Sequence, residues 1–154
     1  MASPDIGFIP TPQDALGVML ALAVLTPNDV VYDLGSGDGR LLIQAAQRYG
    51  VQGVGIDIDP VRVAEGRSLA EKAGVGDRVS FRAGNLYAEP FEAATVVFVY
   101  LLPHLNLRLR PKLRQLRPGS RVVSHQFDMG DWQPERVVKL PESEEESTVY
   151  LWVV

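Results

Sequence analysis

Two carboxylates and a glycine-rich turn carry the chemistry that can be read first. Asp33 follows the β-branched run Val30-Val31-Tyr32, and Gly35, Gly37 and Gly39 alternate just beyond it. Leu41-Leu42-Ile43 then opens a helix-like stretch. Strand, glycine turn and helix start, in that order, are how an α/β domain receives a nucleotide-like ligand. The spacing narrows the ligand. In the dinucleotide pattern G-x-G-x-x-G/A the last small residue packs helix against strand, but here that place holds Arg40. The phosphate loop G-x-x-x-x-G-K-[ST] is absent. Asp33 presents a negative charge to the ligand, which suits an ammonium or sulfonium better than a pyrophosphate. Asp57 ends a second apolar run, 22 residues after Gly35, where an acid can accept bonds from ribose hydroxyls. The implied ligand has a cationic amino-acid end and a ribose. NAD enzymes place an acid much like Asp57, so that residue alone does not choose the cofactor.

The elements that must hold these groups follow from periodicity and punctuation. Thr11-Pro12-Gln13-Asp14 has the cap, first-turn proline and early acid of a helix start. That helix is apolar almost all round, runs to about Leu25 before Pro27, and should be buried or cover a surface. Strands are expected at Val30 to Leu34, Gln52 to Asp57, Val79 to Arg82, Thr95 to Tyr100, Arg121 to Ser124, Arg136 to Leu140 and Thr148 to Val154. Helices are expected from Arg40 to Tyr49, stopped by Gly50, and from Pro60 to Ala73, stopped by Gly74 and weakened by Gly66. Asp59 directly precedes Pro60 and fits a helix cap, which leaves Asp57 for the ribose. Leu102, Leu105, Leu109, Leu113 and Leu116 trace a further helical stripe, interrupted near Pro111. About ten residues separate Ser124 from Arg136, too few for a full crossover helix. The last strand should run antiparallel to its predecessor.

Asp33-Leu34-Gly35-Ser36-Gly37-Asp38-Gly39 resembles motif I of the class I S-adenosylmethionine methyltransferases. The chain is also similar to a narrower group that includes mitochondrial protein-lysine methyltransferases acting on the ATP synthase c-subunit and the adenine nucleotide translocase. The matching pieces are Phe8-Ile9-Pro10-Thr11-Pro12, the glycine loop with Arg40, Asn85-Leu86, Phe98 to Pro103, and Trp132-Gln133-Pro134. The resemblance implies a Rossmann-like α/β domain over residues 1–154, with a mostly parallel sheet of about seven strands, the last antiparallel, and helices on both faces. Residues 1–26 would form an arm and helix covering the cofactor site. It implies S-adenosyl-L-methionine as cofactor, with S-adenosyl-L-homocysteine as product. Pro10 and Thr11 would fold over its methionine end. Asp33, Gly35, Ser36, Gly37, Gly39, Asp57, Ile58 and Tyr100 would line it, and Asn85 and Leu86 would meet the adenine. Thr11 also reads simply as a helix cap, and Asn85 as a turn residue.

Tyr100-Leu101-Leu102-Pro103 stands where class I enzymes meet the methyl acceptor. Many amino-methylating relatives show Asp/Asn-Pro-Pro-Tyr there, and this chain does not. Methyl transfer from a sulfonium is an in-line displacement that needs no metal or covalent enzyme intermediate, and orientation supplies much of its rate. A lysine acceptor must first lose a proton, at about 4.6 kcal/mol from a pKa near 10.4. An apolar mouth lowers that pKa, and Tyr100 is the candidate catalytic residue, accepting a hydrogen bond or shaping the channel.

Composition sets the remaining bounds. A chain of 154 residues with 46% hydrophobic content fits one domain and one core. It has no cysteine, which removes disulfides, thiolate metal sites and a thiol nucleophile, and its two histidines give no basis for a metal site. A net charge of −4 argues against a general nucleic-acid partner. Arg108, Arg110, Lys112, Arg114 and Arg117 crowd one segment, read first as a solvated face and otherwise as a dock for an acidic partner or an anionic membrane. Met1 to Asp5 lacks a basic leader and Ala15 to Leu25 is too short to span a bilayer, so the cytoplasm is expected. Trp132 fits either a core plug or the substrate mouth. The leading expectation is a protein-lysine N-methyltransferase. Methylation of a small molecule and a non-catalytic S-adenosylmethionine-binding module are the alternatives.

Overall fold

The computed structural model describes residues 13–99, 103–140 and 147–154. Eleven elements follow in order: α1 (Gln13–Ala23), β1 (Val30–Leu34), α2 (Arg40–Tyr49), β2 (Gln52–Asp57), α3 (Pro60–Lys72), β3 (Val79–Ala83), β4 (Val96–Val99), α4 (Pro103–Leu113), β5 (Arg121–His125), β6 (Arg136–Lys139) and β7 (Thr148–Val153). The strands form one sheet in the order β3-β2-β1-β4-β5-β7-β6. β7 is antiparallel to both its neighbours, and every other pairing is parallel. The order reverses between β1 and β4, which opens a crevice at the carboxyl ends of these strands.

Strand alternation sends side chains to two cores. Val31, Val96, Phe98, Val123 and Leu151 meet α1, α2 and α3 on one face. Tyr32, Leu34, Val97, Val99, Val122 and Trp152 meet α4 and two loops on the other. Helices thus lie on both faces, three against one. No helix joins β5 to β6, as the short spacing required. The connection instead crosses the second face, and Trp132 plugs it. Its ring lies 5.8 Å from that of Trp152, and its carbonyl accepts the Trp152 indole N–H at 2.8 Å. Trp152 pairs with Val122 near the amino end of β5, so the half-buried Trp132 packs against the core there and not at the rim of the carboxyl ends.

Phe81 explains three glycines at once. A Cβ on Gly39 or Gly55 would stand 2.6 Å from its ring, and one on Gly66 would stand 3.1 Å away. The ring is held where the start of α2, β2 and α3 converge. Gly66 is thus a packing requirement inside a helix. Close packing by small residues is achieved here although Arg40 occupies the fingerprint position.

Two helix boundaries depart from expectation. α1 ends at Ala23 because Val24 turns left-handed, at φ 51°. That conformation is unusual for a β-branched residue, and the Val24 carbonyl is taken by Arg121 at 3.3 Å. α4 runs through Pro111 without interruption. Proline there removes the bond to the Leu107 carbonyl, but Leu107 is 43% exposed, so water can take its place. The amino ends of β1, β4 and β5 are tied by Asp29, which accepts from Thr26 N, Thr95 Oγ1 and Arg121 Nη2.

The basic residues of α4 and of the turn that follows it are largely used internally. Arg108 stacks on Tyr87 at 3.8 Å, and Lys112 lies 4.5 Å from the Phe91 ring while donating to the Glu89 carbonyl. Arg110 bonds the Met129 carbonyl and Asp131, and Arg114 covers Trp132 at 5.0 Å. These cations fasten the two loops that stand where further helices would be, and Arg117 is left exposed. Among the described residues no helix is long and apolar enough to cross a membrane.

Candidate active site

The glycine loop owes its shape to backbone freedom. Gly35, Gly37 and Gly39 have φ of 80°, 58° and 82°, values that L side chains rarely adopt. Gly35 N and Ser36 N both donate to the Ile56 carbonyl, at 2.8 and 3.2 Å. Gly37 N donates to Asp57 Oδ2 at 2.9 Å, and Asp57 Oδ1 accepts from Asp59 N at 2.9 Å. Asp57 therefore pins the loop to the end of β2 and retains lone pairs for a ligand. Asp59 caps α3 through Val61 N, as its place before Pro60 implied. Arg40 folds back on Asp38 with its side chain at 2.8 Å and closes the outer side of the loop. Burial opposes ionisation of Asp38, but its hydrogen bonds from Arg40 hold the carboxyl below its ordinary value.

Asp33 sits differently. It is buried at the carboxyl end of β1, and none of the hydrogen bonds among the described residues reaches its carboxylate. Its pKa is pushed up to about 7, first by burial and then by the charges of Asp57 and Asp38. Ser36 is also buried, and its Oγ has no hydrogen-bond partner. An unpaired buried carboxylate beside an unpaired hydroxyl leaves the pocket short of a cation and of a hydrogen-bonding group. Both fit the methionine end of S-adenosylmethionine. Ile58, 45% exposed, and half-buried Leu86 present apolar surface at the ends of β2 and β3, suited to a base. Asn85 lies in the same place, and its Oδ1 accepts from Tyr87 N at 2.9 Å, so it shapes the turn. Its amide nitrogen and a second lone pair remain for an adenine.

Of the expected site residues, the fold brings together Asp33, Gly35, Ser36, Gly37, Gly39, Asp57, Ile58, Asn85 and Leu86, all at the carboxyl ends of β1, β2 and β3. Pro10, Thr11 and Tyr100 lie outside the described residues. α1 packs across β5 and β7, and Gln13 at its start exchanges amide hydrogen bonds with Gln44 of α2. At the exit of β5, sequence reasoning missed a buried polar group. Asn106 donates to the Phe127 and Asp128 carbonyls at 3.2 Å, and Ser124 Oγ donates to the Phe127 carbonyl at 2.6 Å. A polar residue breaking the apolar stripe that continues at Leu109 and Leu113 was the available signal. His125 is also buried. Its Nε2 lies 2.8 Å from Ser147 Oγ, and burial takes its pKa down to about 4 against a weaker pull from Asp14.

Comparison with known proteins agrees with this geometry. The chain is 41% identical to a protein-lysine N-methyltransferase of Saccharolobus islandicus, over 98% of this chain and 95% of that one. It is 36% identical to the adenine nucleotide translocase lysine N-methyltransferase of Mus musculus over 78% of this chain, and spans only 52% of that protein. A crystal structure described as an RNA methyltransferase from Salinibacter ruber, in complex with S-adenosyl-L-homocysteine, is 52% identical with a TM-score of 0.90, covering 95% of this chain and 94% of that one. The family model described as the ANTKMT methyltransferase domain matches residues 33–136, from the buried acid of β1 to the start of β6. This chain therefore belongs to the ANTKMT family of S-adenosylmethionine-dependent methyltransferases.

Proposed function

We propose that this enzyme methylates a lysine side chain of a protein substrate, with S-adenosyl-L-methionine as methyl donor. The observation that carries the reading is the 41% identity, across nearly the whole of both chains, to an archaeal protein-lysine N-methyltransferase. Asp33 and Ser36 hold the cationic methionine end, with Pro10 and Thr11 closing over it. Asp57 accepts from the ribose, and Ile58, Asn85 and Leu86 receive the adenine. When bound, the cofactor supplies a methyl group on a sulfonium, already activated for displacement. The protein orients the two reactants, which is worth roughly 7–11 kcal/mol in well-aligned systems. It also excludes water from the amine, so that the neutral form costs less than the ~4.6 kcal/mol required in water. Tyr100 is assigned to that mouth. The reading carries a cytoplasmic location, open to test by cell fractionation.

A second acceptor class has one observation in its favour, the description of the Salinibacter ruber relative as an RNA methyltransferase. The net charge of −4 and the internal use of the α4 cations weigh against it. Labelling decides. Purified enzyme is incubated with tritiated S-adenosylmethionine and cell extract, and the product is split between ribonuclease and acid hydrolysis. Label recovered as methyl-lysine is the expected result. Label released by ribonuclease, or found only in small metabolites, overturns the lysine reading.

A further inference from the structure

We propose that Asn106 is a positioning residue for the methyl acceptor, holding the loop that leaves β5 as one wall of the acceptor mouth. The inference rests on the lysine reading above and adds to it the element that receives the substrate. The sheet order places the cofactor acids on β1 and β2, so an acceptor approaching the methyl group passes over the carboxyl ends of β4 and β5. Ser124 is the register partner of Val99, one residue before Tyr100. The chain leaving β5 therefore borders the mouth directly.

That chain is under strain. Gln126 has φ 74°, a left-handed conformation that a non-glycine residue keeps only when its surroundings impose it. Gln126 itself is held by β7, where its N–H donates to the Thr148 carbonyl at 2.7 Å and its Oε1 accepts from Thr148 N at 3.0 Å, and the residues just beyond it are held by α4. Asn106 lies in its first turn, is fully buried, and shares a helical face with Leu109 and Leu113. Its amide N–H groups bind the Phe127 and Asp128 carbonyls at 3.2 Å, and one turn on Arg110 takes the Met129 carbonyl at 2.9 Å. Three consecutive carbonyls are thus fixed to the helix that itself begins at the exit of β4.

The Asn106 side chain is not explained by packing. Its Oδ1 is buried and accepts no hydrogen bond, an arrangement native proteins avoid. Leucine, found at 109 and 113, would continue the stripe without that penalty. The amide acts here as a donor alone, its nitrogen reaching the two carbonyls and, at 3.4 Å, Ser124 Oγ, while its oxygen accepts nothing. This is the conflict between local preference and fold that functional sites show.

The test separates acceptor placement from general integrity. Methyl transfer to the lysine substrate identified by labelling is measured for wild type, Asn106→Ala, Asn106→Asp and Ser124→Ala. S-adenosylhomocysteine binding is followed by calorimetry. The proposal expects Asn106→Ala and Asn106→Asp to raise KM for the protein acceptor at least tenfold. Their Kd for S-adenosylhomocysteine should stay within twofold of wild type. Ser124→Ala, which removes a bond to the Phe127 carbonyl and the longer contact that accepts from Asn106 Nδ2, should shift KM the same way by less. Hydrogen exchange at 126–131 should accelerate in step with KM. An unchanged KM, or parallel losses in KM, kcat and cofactor affinity, overturns it. If Asn106→Ala does not fold, the isosteric Asp variant and Ser124→Ala carry the same decision. A wild-type enzyme inert toward every lysine acceptor is a different failure, seen before any variant is made, and it overturns the lysine reading itself.

Discussion

Replacing Asp33 with Asn should make the ligand-free protein more stable and its grip on S-adenosylmethionine weaker. The pKa of Asp33 is raised from 3.8 to about 7 by burial and by the charges of Asp57 and Asp38. Each unit corresponds to ~1.36 kcal/mol, so holding this charge at neutral pH costs about 4 kcal/mol. Between those two values the folded chain binds more protons than the unfolded one. The favourable contribution of neutral Asp33 is therefore full below pH 3.8 and disappears as pH rises toward 7. Asn removes the charge, and its buried amide returns roughly 1–3 kcal/mol through unmade hydrogen bonds. A net gain of roughly 2 kcal/mol should raise the apo Tm by about 5 °C, at 2–4 °C per kcal/mol for a chain of this size. Losing a charge-assisted contact of about 1.5–3 kcal/mol should weaken the cofactor by roughly 10–100-fold. On the proposed reading, the cationic end of the cofactor favours ionised Asp33, so binding should release a proton. Proton release should approach one per cofactor bound as pH falls below 7, and affinity should fall from pH 7 to pH 5.5. Calorimetry in two buffers of different ionisation enthalpy counts the proton, and scanning calorimetry gives Tm. A lower apo Tm in Asp33→Asn, or wild-type affinity flat across that pH range with no proton released, would refute the reasoning.

Other outcomes follow from the same structure. Gly55→Ala puts a Cβ 2.6 Å from the Phe81 ring and should cost roughly 1–3 kcal/mol in urea unfolding. Combining it with Phe81→Leu should be less than additive, because the clash and the ring are one interaction. Arg121→Met leaves Asp29 buried with its counter-charge gone and should destabilise by about 3–5 kcal/mol, read from the urea midpoint. His125 stays neutral in the fold down to about pH 4, whereas an unfolded histidine protonates near 6.5. Its contribution to stability should therefore be lost as pH falls from 6.5 toward 4, and His125→Gln should flatten the Tm profile in that window.

The residues themselves determined much of this protein. Local rules sufficed wherever cause and effect lay within a few positions. Gly50 stops α2 at φ 70°, Asp59 with Pro60 starts α3, and the alternating glycines make a loop that other residues could not. The acids at the ends of β1 and β2 were legible for the same reason, since a strand end followed by a glycine turn is a local pattern. The family was legible because its motifs stand in order along the chain.

Tertiary structure decided what depends on partners far apart in sequence. Gly66 reads as a weak point in a helix until Phe81, 15 positions on, is seen to need its missing side chain. The arginines of α4 read as a charged face until two helix-less loops come to lie against them. Trp132 had two readings until Trp152, 20 residues away, came to lie against it. Asn106 carried no signal beyond its polarity, because the carbonyls it binds lie more than twenty residues downstream. Periodicity and capping report the chain's nearest neighbours, whereas burial and unpaired polar atoms exist only once the sheet has closed.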